Sequence, residues 1–503
     1  MRKLLPDEIR EAVKGRWRWR GDPFPTYVGI DGVSTDTRSA RPGDLFIALR
    51  GSHFDGHRFL AQAAEAGCRA AIVLYDYPVE DELLKRFAGG VIGVADTTAA
   101  LGDLARGYRA GMSAVVVAVT GSNGKTTVKR MIHHVLGRRW KGTASPKSFN
   151  NNVGVPLTLL GISPDDDYVV CELGTNAPGE IACLARITRP DVAVITSVSP
   201  THLEKLIDLD HVAAEKASLL GELGGVPNPD GSGLGRGSKR DVSRLETSAP
   251  PEGLAVIWAD SEPLARAVRS YQVRTVRFGQ ADDADLRLTD YQPTRGGGRF
   301  ELNGRIRAEL SVPGLHNALN ALAAVAVAQR FGFAQEESAA ALADYRGEDM
   351  RLQAVRLGQV TLVNDAYNAN PASMRAAADA MASFNGRRRV LVAGDMLELG
   401  EKSVELHRDT GRAIAASGVN LLVGVGKLGR HIAAGAAEAG LGAVEEIESV
   451  EAAERRLPKL LKNGDVVLLK GSRGMAMERL VEPIRRRFAK KPAGTSRRRN
   501  PSC

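Results

Sequence analysis

The run AVVVAVTGSNGKTTVKRMIHHVL, residues 114–136, places Lys125, Thr126 and Thr127 directly behind a turn built from Gly121, Asn123 and Gly124. The β-branched stretch before the turn predicts a buried strand, and the stretch after it predicts a helix. A strand, a glycine turn and a helix start in that order bring backbone N–H groups toward one point, with the electropositive helix end behind them. Lys125 can then neutralise β/γ-phosphate charge, while Thr126 or Thr127 offers a hydroxyl to Mg2+. The usual phosphate loop has four residues between its first glycine and the Gly-Lys pair; here two separate Gly121 from Gly124. The chemistry predicted is ATP binding on a shortened phosphate loop. The plainer alternative, a glycine turn with a surface lysine, leaves the threonines and the acid that follows without a purpose.

That acid is Glu172, at the end of the apolar run YVVCELG. A carboxylate entering the same crevice is costly unless compensated, and Mg2+ would compensate it. His202, in SVSPTHLEKL, and Lys216, in HVAAEKASLL, follow the next predicted strand. Taken alone, His202 reads more readily as a turn or capping residue than as a site residue, and Lys216 as a solvated helix charge. His133 and His134 read as helix-surface residues, and no Cys/His spacing matches a zinc site.

The elements that must position these groups form an α/β pattern. Residues 1–113 alternate short strands such as DLFIALRG and RAAIVLYD with the helix HRFLAQAAEAG. Residues 114–348 open with the phosphate-loop strand and continue through DDYVVCELG and PDVAVITSV, a pattern for a largely parallel sheet covered on both faces, whose functional loops lie at the carboxyl ends of its strands. Residues 222–251, rich in Gly, Pro, Ser and charge, interrupt it as a flexible surface insertion. From 349 to 490, QVTLVNDAY, RRRVLVAGDM, NLLVGVG and GDVVLLKGS predict a further α/β sheet, and 491–503 is a basic, disordered tail.

Composition limits the alternatives. The chain has 503 residues, enough for about three domains. Its formal charge of +9 argues weakly for nucleic acid, because Arg485, Arg486, Arg487, Lys490, Lys491, Arg497, Arg498 and Arg499 supply eight positive charges in a segment without acids. Four cysteines without paired spacing, no apolar run of membrane-spanning length and a charged N-terminus predict a reduced, cytoplasmic protein.

Eight segments carry a more specific signal: TGSNGKTTVKRM, SFNNNVGVPLTLL, CELGTNAPGEI, THLEKL with AAEKASLL, GLHNALNALAA, NDAYNANPASM, VAGDMLELG and KGSRGMAME, in this order. Together with STDTRSARPGDLFIALRGSHFDGHRFL near the N-terminus, they closely resemble the Mur ligase family across residues 28–482. The resemblance implies a three-domain architecture with a central phosphate-loop-type, mostly parallel sheet and a C-terminal Rossmann-like domain. FNNNVGVPLTLL and DAYNANPASM favour the branch that joins D-Ala-D-Ala to UDP-MurNAc-tripeptide, with ATP and Mg2+, through an acyl phosphate. The phosphate loop alone also fits other Mur or folylpolyglutamate-type ligases, and a protein that uses ATP only to gate binding is the alternative outside enzymes.

The resemblance also implies roles. Lys125 matches the phosphate lysine and Thr126 the magnesium hydroxyl; Glu172 and His202 match metal ligands; Lys216 matches a lysine that becomes carbamylated. Asn317 and Asn320 match the adenine-side segment, Arg351 the opening of the last domain, and Asp365, Tyr367 and Asn368 a segment closing over nucleotide. Ser34, Thr37 and Arg38 match the UDP end; Asn150, Asn151 and Asn152 the muramoyl-peptide loop; Lys470, Ser472 and Arg473 the closing domain. Without the resemblance, the asparagines read equally as caps and turns, STDTRSARPGD as a polar turn, and Arg473 as the partner of a surface acid. The expected state is a monomer needing no nucleic acid and having no transmembrane segment, with weak contacts through the tail. One departure is Trp258, where relatives commonly carry asparagine; its expected place is the core.

Overall fold

The computed structural model describes residues 2–21, 29–51, 54–201, 203–224 and 253–489, so His202, most of the 222–251 insertion and the 491–503 tail lie outside the described residues. The chain divides into two compact units. The first comprises 1–198, 213–287 and 321–338; the second comprises 199–212, 288–320 and 339–503.

The first unit contains two sheets. A five-stranded sheet runs in the order Arg16–Trp19, Val91–Val94, Ala70–Leu74, Leu45–Ile47, Val33–Ser34, with only the Arg16–Trp19 edge antiparallel. The other is parallel throughout: Arg274–Gly279, Leu254–Trp258, Val192–Ile195, Val115–Thr120, Tyr168–Glu172 and Gly142–Ala144 lie side by side. Val116, Val117, Ala118 and Val119 are fully buried, as a strand covered on both faces requires. From Val115–Thr120 the chain crosses to the edge strand Gly142–Ala144, returns to Tyr168–Glu172 on the same side, and then crosses to Val192–Ile195 on the other. The sheet therefore reverses its winding beside the phosphate loop, where α/β sheets open a crevice at the strand ends.

The second unit holds an antiparallel ladder and a six-stranded sheet. In the ladder, Gly297–Leu302 pairs with Leu286–Thr294 on one side and with Ile306–Leu310 on the other. The larger sheet runs Gln353–Leu357, Val360–Asn364, Asp465–Lys470, Arg388–Gly394, Leu421–Val425, Val444–Ile447, and only its first pairing is antiparallel. Period-two alternation sends Leu391, Ala393, Val466 and Leu468 to one core and Val390, Val392, Val467 and Leu469 to the other. Burial on both faces explains why these segments read as unbroken apolar runs.

The expectation for His133 is corrected. It is half-buried, its Nδ1 lies 2.8 Å from the Tyr168 hydroxyl, and loss of hydration lowers its pKa. Trp258 is half-buried rather than in the core, at the end of its strand, and its indole N–H donates to Asp260 Oδ2 across 3.1 Å.

Candidate functional site

The loop between Val115–Thr120 and the helix Lys125–Leu136 takes its shape from two glycines. Gly121 has φ +147°, and a Cβ there would lie 2.0 Å from Thr196 Oγ1. Gly124 has φ +83° and begins the helix with no side-chain cap, which leaves first-turn N–H groups directed at the crevice. The neighbouring strand end pins the loop: Ser122 N donates to Ser197 O (2.8 Å), and Asn123 N donates to Ser197 Oγ (2.8 Å). Thr196 and Ser197 were not singled out in the sequence. Their only signal is their position after an apolar strand that must lie beside the loop.

Lys125 folds over this loop and donates to Gly121 O across 2.6 Å. Thr127 is half-buried in the first helical turn. Thr126 donates its hydroxyl to Glu172 Oε2 at 3.0 Å, and Asn150 Nδ2 donates to Glu172 Oε1 at 3.0 Å. The structure thus brings Thr126, Glu172 and Asn150 together. It adds Lys129, whose ammonium is fully buried 2.9 Å from Glu172 Oε2. Lys129 shares a helix face with Lys125, Ile132 and Leu136, so a lysine on an apolar stripe was the signal for it.

Lys216, in the helix Leu209–Ala217, is 1 % exposed. Loss of hydration, aided by the charge of Lys125 and opposed by that of Glu215, lowers its pKa to about 7. The Glu215 carboxylate itself is engaged by the backbone N–H groups of Gly179 and Ile181 at 2.7 and 2.8 Å.

These donors suit a magnesium–nucleotide pair. Among the described residues no group of three or more His, Cys, Asp or Glu can hold a metal unaided. A hydroxyl and one carboxylate do suit Mg2+, which takes much of its shell from water and phosphate oxygens.

Other expected residues are occupied internally. Asn151 Oδ1 accepts from Val153 N and Gly154 N, capping the helix Gly154–Leu160, while Asn152 is exposed. Ser34 Oγ donates to Asp36 O, Thr37 Oγ1 to Gln62 Oε1, and exposed Arg38 binds Asp36, whose pKa the guanidinium lowers to about 2.

The second unit has its own polar centre. Lys470 Nζ lies 2.6 Å from Asp365 Oδ2 and donates to Asn368 O at 3.0 Å. Leu352 N donates to Asp365 Oδ1, and the Arg351 guanidinium stacks 4.2 Å over Tyr367. Asn317 Nδ2 donates to Pro313 O, and Asn320 Nδ2 to Asn317 Oδ1. Ser472 Oγ accepts from Leu397 N, and Arg473 pairs with Glu478, the surface-acid alternative raised by the sequence.

Three family models match in chain order: the Mur ligase family catalytic domain over 29–109, the Mur ligase middle domain over 119–226 and 240–328, and the Mur ligase glutamate ligase domain over 350–473. The chain belongs to the Mur ligase family. Its three Mur ligase domains are α/β, with mostly parallel sheets. This Mur ligase is 35% identical to the UDP-N-acetylmuramoyl-tripeptide–D-alanyl-D-alanine ligase of Bacillus subtilis, over 96% of this chain and 99% of that one. Among solved structures it is similar to MurF from Acinetobacter baumannii, with TM-score 0.81, 29% identity and coverage of 97% and 99% of the two chains. It is also similar to MurF ligase from Thermotoga maritima in complex with ADP, with TM-score 0.76, 25% identity and coverage of 92% and 99%. Among the described residues of this Mur ligase, no helix is long and apolar enough to cross a membrane.

Proposed function

We propose that this chain catalyses the ATP-dependent ligation of D-Ala-D-Ala to UDP-MurNAc-tripeptide, giving UDP-MurNAc-pentapeptide, ADP and phosphate. The observation that carries the reading is the near-complete overlap with the Bacillus subtilis ligase of that activity. The phosphate loop at the winding reversal supplies its physical basis. The tripeptide's terminal carboxylate attacks the γ-phosphorus, and the bond to the ADP oxygen breaks. The dipeptide's amino group then attacks the acyl carbon, loses a proton and expels phosphate.

In this reading Gly121, Asn123, Gly124, Lys125, Thr126 and Thr127 form the phosphate cradle, and the Lys125 ammonium moves from Gly121 O to the transferring phosphoryl oxygens. Thr126, Glu172, His202 and Lys216 would hold magnesium, which when bound supplies positive charge beside those oxygens. Lys216 is suited to carbamylation, because a buried amine with pKa about 7 is substantially neutral at neutral pH and can attack CO2, releasing a proton. Asn317, Asn320, Arg351, Asp365, Tyr367 and Asn368 serve the nucleotide. Ser34, Thr37, Arg38, Asn150, Asn151, Asn152, Lys470, Ser472 and Arg473 serve the two peptide substrates. Residues 1–113, 114–348 and 349–490 are the three functional domains, and the enzyme works as a cytoplasmic monomer.

The test is to incubate the protein with ATP, Mg2+, UDP-MurNAc-tripeptide and D-Ala-D-Ala and to measure peptide mass and ADP. A mass gain that requires the dipeptide supports the reading. ATP hydrolysis without a lengthened peptide, over several tripeptides, overturns it.

A further inference from the structure

Lys129 is a buried cation that none of the roles above uses. Its ammonium sits 2.9 Å from Glu172 Oε2 and also donates to the backbone carbonyl of Lys147 at 2.5 Å. Lys147 is a non-glycine residue with φ +43°, a left-handed conformation that presents this carbonyl inward while its side chain stays exposed. It belongs to the stretch 146–152, exposed except at half-buried Asn150, that leads into the helix Gly154–Leu160. Three bonds tie this stretch to the strand end and the phosphate-loop helix: Lys129 to Lys147 O, Asn150 Nδ2 to Glu172 Oε1, and Gly174 N to Asn150 O at 2.7 Å. Two of them run through the Lys129–Glu172 pair.

We propose that Lys129 is a positioning residue that couples the 146–152 loop to the phosphate site. It holds the Glu172 carboxylate in place beside Thr126, and with the same ammonium fixes the loop that faces the muramoyl peptide. The inference rests on the ligase reading, because only that reading gives the loop a peptide to hold. Charge-assisted bonds are the stronger ties of an otherwise exposed loop, so their loss opens the loop locally without unfolding the sheet.

The test compares Lys129→Met with the parent by amide hydrogen exchange on the ligand-free protein and by steady-state kinetics. Amides of 147–152 are expected to exchange about tenfold faster or more, with protection of the strand Val115–Thr120 unchanged. The KM for UDP-MurNAc-tripeptide should rise at least about tenfold while that for D-Ala-D-Ala stays within about twofold. Removing the ammonium strands a buried carboxylate, so if the single variant does not fold, Lys129→Met is combined with Glu172→Gln and compared with Glu172→Gln alone. The loop should then loosen only where Lys129 is absent. A folded Lys129 variant with parental exchange over 147–152, or with parental tripeptide KM, overturns the coupling. If the parent itself makes no pentapeptide, the ligase reading falls, whereas the exchange comparison still reports on the tie.

Discussion

Lys470 Nζ and Asp365 Oδ2 meet 2.6 Å apart in the second unit, and both residues are buried. The two come from the ends of adjacent parallel strands, Asp465–Lys470 and Val360–Asn364. Asp365 also accepts from Leu352 N, while Lys470 donates to Asn368 O. The pair therefore joins the opening of the last sheet to its neighbouring loop. Replacing Asp365 with Ala leaves a buried ammonium uncompensated, at a cost of about 3–5 kcal/mol. Chemical denaturation followed through the second unit should show this loss, and Lys470→Met in the same chain should recover part of it. An Asp365→Ala midpoint equal to the parent's would mean that the pair contributes nothing.

Lys125→Ala should reduce ligation and phosphate release together by at least about a hundredfold, the scale expected for removing a group that stabilises transition-state charge. Its ammonium donates to carbonyls of its own loop, Gly121 O at 2.6 Å and Ser122 O at 3.5 Å, which a water can replace, so folding should be nearly unaffected. Product mass and circular dichroism on the same sample check both halves. Retained ligation would reject the assigned role.

Gly121→Ala tests the cradle's shape rather than its charge. A Cβ 2.0 Å from Thr196 Oγ1, at φ +147°, forces the loop away from the Val192–Ile195 strand end. Nucleotide affinity measured by calorimetry should fall about tenfold or more, equivalent to at least about 1.4 kcal/mol. Thr196→Ala alone should be much milder.

Lys216 links the site to pH. Burial lowers its folded-state pKa from 10.5 to about 7, so the fold disfavours the ammonium. For the unmodified lysine this penalty is present in full below about pH 7 and is relieved as pH rises toward 10.5, the range in which the unfolded chain binds more protons. Stability of CO2-depleted protein should therefore climb with pH across this window, and Lys216→Met should flatten the climb and resist urea better at pH 7. The same variant should lose ligation by about a hundredfold or more. In the parent, CO2 depletion should lower activity and bicarbonate restore it, with a carbamate carbon visible by 13C NMR. Turnover indifferent to bicarbonate would sink the modification.

Much of the α/β pattern was legible because strands buried on both faces read as apolar runs, and AVVVAVTG, YVVCELG and GDVVLLKGS each became one. The glycine turn was equally plain, since few residues other than glycine accept the φ of Gly121 and Gly124. What the 146–152 asparagines do was less legible. Asn150 turns inward to Glu172 and Asn151 caps a helix, and an amide serves a cap, a carboxylate or a sugar equally well. Lys129 was passed over because a lysine beside a phosphate loop reads as surface charge until its partner on another strand is known.

By itself the sequence determined the order of the elements, the phosphate-loop chemistry and the family, because backbone conformation and strand burial are local demands that residue type answers directly. Only the tertiary structure decided which charges meet. Glu172 with Lys129 is separated by 43 residues, Lys470 with Asp365 by 105, and the desolvation of Lys216 comes from packing around it. Burial and pairing of a charge depend on what the fold brings alongside it, and that is a property of sheet order and register that no stretch of chain carries alone.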